Sequence, residues 1–320
     1  MRAILFTEYG PPEVLKLKDI KKPEPKENEL LIKIHATSVN SGDVKLRKAD
    51  PAVVRLFLGL LKPRKKVLGV VFAGEVVSAG RNVSKFKQGD RVYGMTGMRM
   101  GAYAEYFCLP EKGCICTIPN EINFEEAASI PFGAVSAMHF LKRANIQKGQ
   151  SVLINGASGA VGSAAIQIAK NMGANVTAVC SSANAELVTS LGADKTINYN
   201  SMDFTKGSEF YDVIFETVGK APLRECVKVI KPKGTILIGS GGVADMLGGV
   251  LRKITGKINV VSGVSAEDPG DLSFVSGLIR EGKFKPVIDR TYPLEEICEA
   301  HKYVETGHKR GNVVVKISKG

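Results

Sequence analysis

No run in this 320-residue chain approaches the roughly 18 consecutive apolar residues of a membrane-spanning helix. The opening, MRAILFTEYGPP, starts directly in a strand-like pattern without a basic-then-apolar leader, so the expected location is cytoplasmic. Cysteine is scarce, with six residues, and none of them forms the C-x-x-C pair that a structural zinc site commonly uses. Disulfides are not expected in that compartment, and Cys108, Cys114 and Cys116 read as small apolar residues around a strand and turn. The four histidines, His35, His139, His301 and His308, have neither metal nor triad spacing and read as surface or core residues. There is no internal repeat and no low-complexity tract.

The net charge of +12 raises the question of nucleic acid, but the Lys and Arg residues are dispersed and no nucleic-acid-binding motif occurs. Two basic runs stand out, residues 62–66 and 246–257. The second mixes apolar and basic side chains, which suits a subunit interface, a solvated patch or contact with an anionic membrane surface.

The most informative stretch is SVLINGASGAVGSAAIQIAK, residues 151–170. An apolar strand-like run meets the turn Gly156-Ala157-Ser158-Gly159-Ala160-Val161-Gly162, and a helix-period segment follows. A strand, a tight glycine turn and a helix N-terminus form a site for a pyrophosphate, because the first helical N–H groups are unsatisfied and small residues let the anion approach. Relative to G-x-G-x-x-G, Ala157 holds the first glycine position and Gly159 and Gly162 the second and third. Residues 175–180, 196–198, 211–215 and 234–239 read as further short strands alternating with helical segments, which predicts a doubly wound parallel sheet.

Before this turn, strand-like runs at 3–6, 30–35, 70–77, 91–93 and 102–109 are separated by Gly, Pro and Asn clusters, as in a largely β domain. Residues 125–129 and 134–142 read as helices leading into the nucleotide fold. Helical patterns at 272–281 and 294–306 then precede a strand at 312–317 that is expected to return to the β domain. The predicted organisation is 1–122, 123–268 as an inserted nucleotide domain, and 269–320 as the return.

At this point the whole chain resembles the zinc-free quinone oxidoreductase and enone reductase branch of the medium-chain dehydrogenase/reductase superfamily. The matching residues include Glu8-Tyr9-Gly10-Pro11-Pro12-Glu13-Val14-Leu15, Val39-Asn40-Ser41-Gly42-Asp43, Phe72-Ala73-Gly74-Glu75-Val76, Phe86-Lys87-Gln88-Gly89-Asp90-Arg91-Val92, Gly101-Ala102-Tyr103-Ala104-Glu105-Tyr106 and Leu191-Gly192-Ala193-Asp194. The resemblance implies an α/β protein in which a Rossmann doubly wound parallel sheet is inserted into a GroES-like β-rich domain. It also implies a nicotinamide held between the two domains, and a homodimer. Zinc-dependent relatives carry a Cys after the Val-Asn-like strand end and a Gly-His-Glu motif. Here those places read Asn40-Ser41-Gly42-Asp43 and Gly69-Val70-Val71, so no metal is expected.

Without a Lewis acid, the remaining chemistry is hydride transfer to an acceptor already polarised by conjugation, a quinone or an α,β-unsaturated carbonyl. Lys45, expected on a loop, is the candidate proton or hydrogen-bond donor, since plant-type enone reductases carry Lys where classical quinone oxidoreductases carry Tyr; otherwise it is a solvated lysine. Asn40 joins it as an orienting group together with Asp43. Tyr9 is an alternative donor or a loop anchor. The apolar segment within 48–66 would suit a hydrophobic acceptor.

An acid at the end of the second strand would bind both ribose hydroxyls and repel a 2′-phosphate. Cys180 is instead followed by Ser181-Ser182-Ala183-Asn184, and Tyr199 matches a tyrosine of NADPH-dependent relatives, so NADPH is expected, with NADH as a weaker alternative. Many relatives have Lys where Ala183 stands. The cofactor residues implied are Asn40, Ser136, Ala157, Ser158, Gly159, Ala160, Val161, Gly162, Ser181, Ser182, Tyr199, Val218, Gly219, Gly239 and Gly263, with 240–242 and 261–264 alongside. Glu216 stands where relatives usually have Asp. The alternatives are a non-catalytic NADPH-binding protein and a peripheral membrane quinone reductase using residues 246–257.

Overall fold

The computed structural model describes residues 1–239 and 258–317. Residues 240–242 and the basic–apolar run 246–257 therefore lie outside the described residues. The chain divides into two compact units, one of Met1–Phe132, Leu272–Arg280 and Pro286–Gly320, the other of Gly133–Asp271 and Glu281–Lys285.

The first unit begins with an antiparallel ribbon, β1 (Arg2–Phe6) and β2 (Leu15–Asp19). Its centre is the long strand β3 (Glu29–Val39), which leads directly into helix α1 (Ser41–Lys48). A short helix α2 (Arg55–Leu58) precedes β4 (Val71–Ala79), β5 (Arg91–Met95), β6 (Tyr106–Pro110) and β7 (Cys114–Thr117). Leu30, Ile32 and Ile34 of β3 and Phe72 of β4 are fully buried. Each such side chain contributes about 1.5–3 kcal/mol by leaving water. Helix α3 (Phe124–Ala128) opens on an Asn123/Glu126 capping box and packs against β3 and β4, so residues 123–132 cluster with this unit rather than with the parallel sheet.

In the second unit, helix α4 (Pro131–Ala144) precedes β8 (Ser151–Asn155), α5 (Ala160–Asn171), β9 (Asn175–Cys180), α6 (Ala185–Ser190) and β10 (Lys195–Asn198). The chain continues through β11 (Tyr211–Glu216), α7 (Leu223–Cys226), β12 (Ile230–Ile238) and β13 (Asn259–Ser262). These strands are all parallel, in the order β10-β9-β8-β11-β12-β13. Val152, Leu153, Ile154, Val176, Ile214, Phe215 and Leu237 are wholly buried, as expected of a parallel sheet covered on both faces. The order reverses between β8 and β11, and ligands of such sheets bind outside the strand carboxyl ends at that point.

The chain returns through α8 (Pro269–Arg280), β14 (Ile288–Pro293), α9 (Ile297–Glu305) and β15 (Asn312–Lys316). Strand β15 pairs antiparallel with β3 and completes the order β14-β15-β3-β4-β5-β7, with β6 on the other end of β3. The strand expected over 102–109 starts only at Tyr106. Before it, Ala102 and Tyr103 donate their N–H groups to Gly69 O and Leu68 O, which holds that segment as a connection. Among the described residues no helix is long and apolar enough to cross a membrane.

Candidate functional site

In the second unit, β8 ends at Asn155 and the chain turns sharply at Gly156, whose φ of +79° is in the left-handed region that a side chain disfavours. A Cβ at Gly156 would also stand 2.5 Å from Val218 Cγ1 and 2.6 Å from Thr217 Oγ1. At Gly162 a Cβ would lie 2.2 Å from Gly156 O, so only glycine lets α5 close onto the turn. Gly159 differs. Its extended backbone suits any residue and a Cβ there would make only an ordinary 3.4 Å contact. The fold therefore requires glycine at 156 and 162 but not at 159.

Helix α5 begins on Gly159 with no side-chain cap, and Ser163 N donates the first i→i−4 bond, to Gly159 O at 2.8 Å. The N–H groups of Ala160, Val161 and Gly162 precede that bond and have no intrahelical acceptor. Together with the helix dipole they make an anion cradle, and a pyrophosphate fits it.

The other wall of the switch point is built by Glu216, at the end of β11. Its carboxylate is buried and accepts from Val218 N (2.7 Å), Gly219 N (2.7 Å), Ala221 N (3.0 Å) and Asn155 Nδ2 (2.6 Å). Thr217 Oγ1 donates to Asn155 O at 2.7 Å, tying the same loop to the end of β8. The Val218 and Gly219 N–H groups are thus committed inside the protein, and what Val218 offers outward is its exposed side chain. The longer Glu reaches four donors that a strand-end side chain one methylene shorter would reach less well. The sequence marked this position as a departure without a cause. The structure supplies the cause.

The remaining second-unit candidates fall into two groups. Ser181 follows β9, and Ser182 and Ala183 are exposed in a short 3-10 turn. Asn184 at the end of that turn donates from Nδ2 to Ser158 Oγ at 3.0 Å, linking it to the glycine turn. Tyr199 N donates to Cys180 O, which keeps this half-exposed tyrosine at the carboxyl end of β9, with Ser181. The second group is Ser136 on α4, whose Oγ lies 3.3 Å from Ser265 Oγ, two residues past Gly263. Gly239 donates its N–H to Glu216 O at 2.9 Å. Neither Asn155 nor Asn184 was singled out by sequence; a polar residue closing a buried strand was the available signal for Asn155.

In the first unit, the lysine-bearing segment expected as a loop is helix α1. Asn40 Oδ1 accepts from Asp43 N and Asp43 Oδ2 accepts from Asn40 N, both at 3.1 Å, a reciprocal capping box legible as Asn-x-x-Asp. Asp43 is fully buried, and burial pushes its carboxyl up to about 7, against the N–H of Asn40, the Tyr103 hydroxyl and the N–H of Val70. Tyr103 OH also lies 3.2 Å from His301 Nε2, and burial takes the His301 imidazole down to about 3. Arg47, buried on the same helix, pairs with Glu305 of α9, which Lys48 also reaches at 2.9 Å. These contacts fix α1 from below and leave Lys45 exposed on its outer side.

Tyr9 is not free. Its hydroxyl donates to Gly59 O at 2.7 Å, and Arg55 lies over its ring at 5.1 Å from the centroid. That geometry is a tether for the segment after α2. Among the described residues no cluster of three or more His, Cys, Asp or Glu side chains could hold a metal ion.

The chain matches two family models, an alcohol dehydrogenase GroES-like domain over residues 26–120 and a zinc-binding dehydrogenase domain over residues 191–315. It is 33% identical to the 2-methylene-furan-3-one reductase of Solanum lycopersicum, over 98% of this chain and 79% of the relative. It is also 33% identical to the chloroplastic NADPH-dependent alkenal/one oxidoreductase of Arabidopsis thaliana, over the same shares of 98% and 79%. The solved quinone oxidoreductase of Coxiella burnetii superposes with a TM-score of 0.88 at 32% identity, covering 99% of each chain.

Proposed function

The chain belongs to the quinone oxidoreductase and alkenal/one reductase branch of the medium-chain dehydrogenase/reductase superfamily, and on that premise we propose an NADPH-dependent, zinc-independent reductase of quinones or α,β-unsaturated carbonyls. The observation that carries this reading is the uncapped start of α5 at the point where the parallel strand order reverses. There the N–H groups of Ala160, Val161 and Gly162 would hold the pyrophosphate. Ser181, Ser182 and Tyr199 would receive the adenosine ribose and its 2′-phosphate, with no carboxylate following β9 to repel it. Val218 and the Ser136–Gly263 group would line the nicotinamide end.

A reduced nicotinamide bound there supplies a hydride. The protein's own task is to hold the acceptor's carbonyl oxygen and stabilise the negative charge that develops on it. The Lys45 ammonium suits this, as an exposed donor on a helix whose rotation is fixed by buried contacts. The proton that completes the reduction comes from solvent or through Lys45. Zinc independence rests on residue chemistry. Val70 is a buried hydrocarbon where zinc-dependent relatives carry a ligand, and the Asn40 and Asp43 side chains are occupied with each other's N–H groups. A cytoplasmic homodimer completes the proposal, and light scattering decides the assembly.

The test is NADPH and NADH oxidation with phenanthrenequinone and a panel of enones, in the wild type and Lys45→Ala. Turnover that prefers NADPH, with kcat in the variant lowered about 100-fold and NADPH affinity unchanged, is the expected outcome. Nucleotide binding with no turnover of any acceptor would leave a non-catalytic binding protein, and an unchanged kcat would return Lys45 to a solvated side chain.

A further inference from the structure

Residues 51–66 follow α1 and contain no acidic side chain; the next acid after Asp50 is Glu75. Within nine residues, five large apolar side chains face solvent: Val53 is 54% exposed, Leu56 65%, Phe57 72%, Leu60 65% and Leu61 89%. Elsewhere among the described residues exposed large apolar side chains are scattered, and scattered ones need no explanation. Five cations, Arg55, Lys62, Arg64, Lys65 and Lys66, are exposed in the same segment, and among the described residues none is ion-paired.

The segment is nonetheless anchored. Leu58 is buried, Tyr9 OH donates to Gly59 O at 2.7 Å, Arg64 N donates to Leu58 O at 2.7 Å, and Phe6 N donates to Lys66 O at 2.8 Å. These bonds hold the apolar side chains outward; they are not the residue of a core that failed to form.

We propose that this turn is a membrane-docking surface, with Phe57, Leu60 and Leu61 entering the headgroup region of an anionic bilayer and the five cations engaging its lipid phosphates. Three features choose this occupant. Cations beside apolar side chains, without any acid, match an anionic lipid surface, to which each Lys or Arg near it adds attraction. A second copy of the chain would bring five more cations against these five. A groove-bound partner would be flanked by walls, and a leucine that is 89% exposed has none. The surface is distinct from residues 246–257, and docking through it does not depend on the reaction catalysed.

The experiment is co-sedimentation of the full chain with phosphatidylcholine vesicles and with mixed phosphatidylcholine–phosphatidylglycerol vesicles, at low and raised salt. Wild type is expected to sediment with the anionic vesicles, to release as salt rises, and to bind neutral vesicles about tenfold more weakly or less. Phe57→Asp/Leu61→Asp and Lys65→Glu/Lys66→Glu should each cut anionic-vesicle binding about tenfold or more at unchanged thermal unfolding, since all four side chains are exposed. If one double variant does not fold, the other decides. The proposal is overturned if the wild type ignores anionic vesicles, or if folded variants bind as the wild type does, which would move the contact elsewhere. It is equally overturned if Phe57→Asp/Leu61→Asp changes only the assembly seen by light scattering, or only acceptor KM.

Discussion

Two helices begin beside the candidate site residues, and they begin in opposite ways. α5 opens on Gly159, which has no side chain to cap with, so its first N–H groups are left for a ligand. α1 opens on Asn40, and the Asn40–Asp43 box satisfies its own start from within. The open start leaves donors available to a ligand, and the closed start is scaffold. In the proposed mechanism α1 therefore contributes a side chain, Lys45, and the closed cap with the Arg47–Glu305 pair beneath it fixes the helix that carries it. The difference also separates two meanings of a glycine-rich turn, since the fold needs Gly156 and Gly162, whereas Gly159 is free of that demand and in the proposed reading serves the ligand.

The sharpest break of this contrast is a pair of variants in the open start. Gly162→Ala places a Cβ 2.2 Å from Gly156 O, and we expect about 2–3 kcal/mol lower stability and NADPH affinity reduced more than about tenfold. Gly159→Ala should leave unfolding within about 1 kcal/mol of wild type yet weaken NADPH about tenfold. Fluorescence titration and urea unfolding measure both. Equal effects of the two variants on stability would erase the distinction between fold glycine and ligand glycine.

Next in size is Glu216→Gln. One oxygen then becomes a donor facing two of the four donors, either the Val218 and Gly219 N–H groups or the Ala221 N–H and the Asn155 amide, so about 2 kcal/mol of stability and several-fold NADPH affinity should go. Acceptor KM should hold. A Glu216→Gln protein that binds NADPH normally would show that this loop does not position the cofactor.

The closed start is expected to be more forgiving. Asn40→Ala should cost about 1 kcal/mol, read as a lower Tm, and Asn40→Ser should recover most of it. A loss of several kcal/mol would mean that Asn40 does more than cap.

The smallest expected effect is on pH dependence. Asp43, raised to about 7, binds its proton more tightly in the folded state, so its contribution is present at low pH and is lost as pH rises from about 4 to 7. His301, lowered to about 3, contributes above its usual 6.5 and loses that as pH falls toward 3. Between about pH 4 and 6.5 the two slopes oppose, so urea unfolding should change little with pH. His301→Gln should unmask the Asp43 slope, with stability falling as pH rises; a flat profile in the variant would remove Asp43 from the account.

Strands β8 and β9 were legible to the residue because near-continuous apolar runs bounded by turn residues suit a parallel sheet covered on both faces. The glycine turn was legible for the same local reason. The α1 segment reads as a loop in sequence despite its Asn-x-x-Asp start, because its apolar periodicity is interrupted by four charged residues in eight. Three of its polar side chains, Asp43, Lys45 and Arg47, carry different burdens, and only Asp43 and Arg47 are buried. Burial of a charged residue depends on partners distant in sequence, here Glu305 and Tyr103, and no local pattern records them.

What the sequence by itself determined is the set of short-range features: a strand-turn-helix able to cradle a pyrophosphate, strands of the right length and alternation, and no acid directly after Cys180. What only the tertiary structure decided is which groups are free to act. It commits the Tyr9 proton to Gly59 O, gathers the Val218 and Gly219 N–H groups onto Glu216, and leaves Lys45 and the apolar side chains in and around α2 in solvent. The physical reason is that residue type sets what a group can donate, accept or repel, whereas its freedom to do so is set by neighbours brought from elsewhere in the chain.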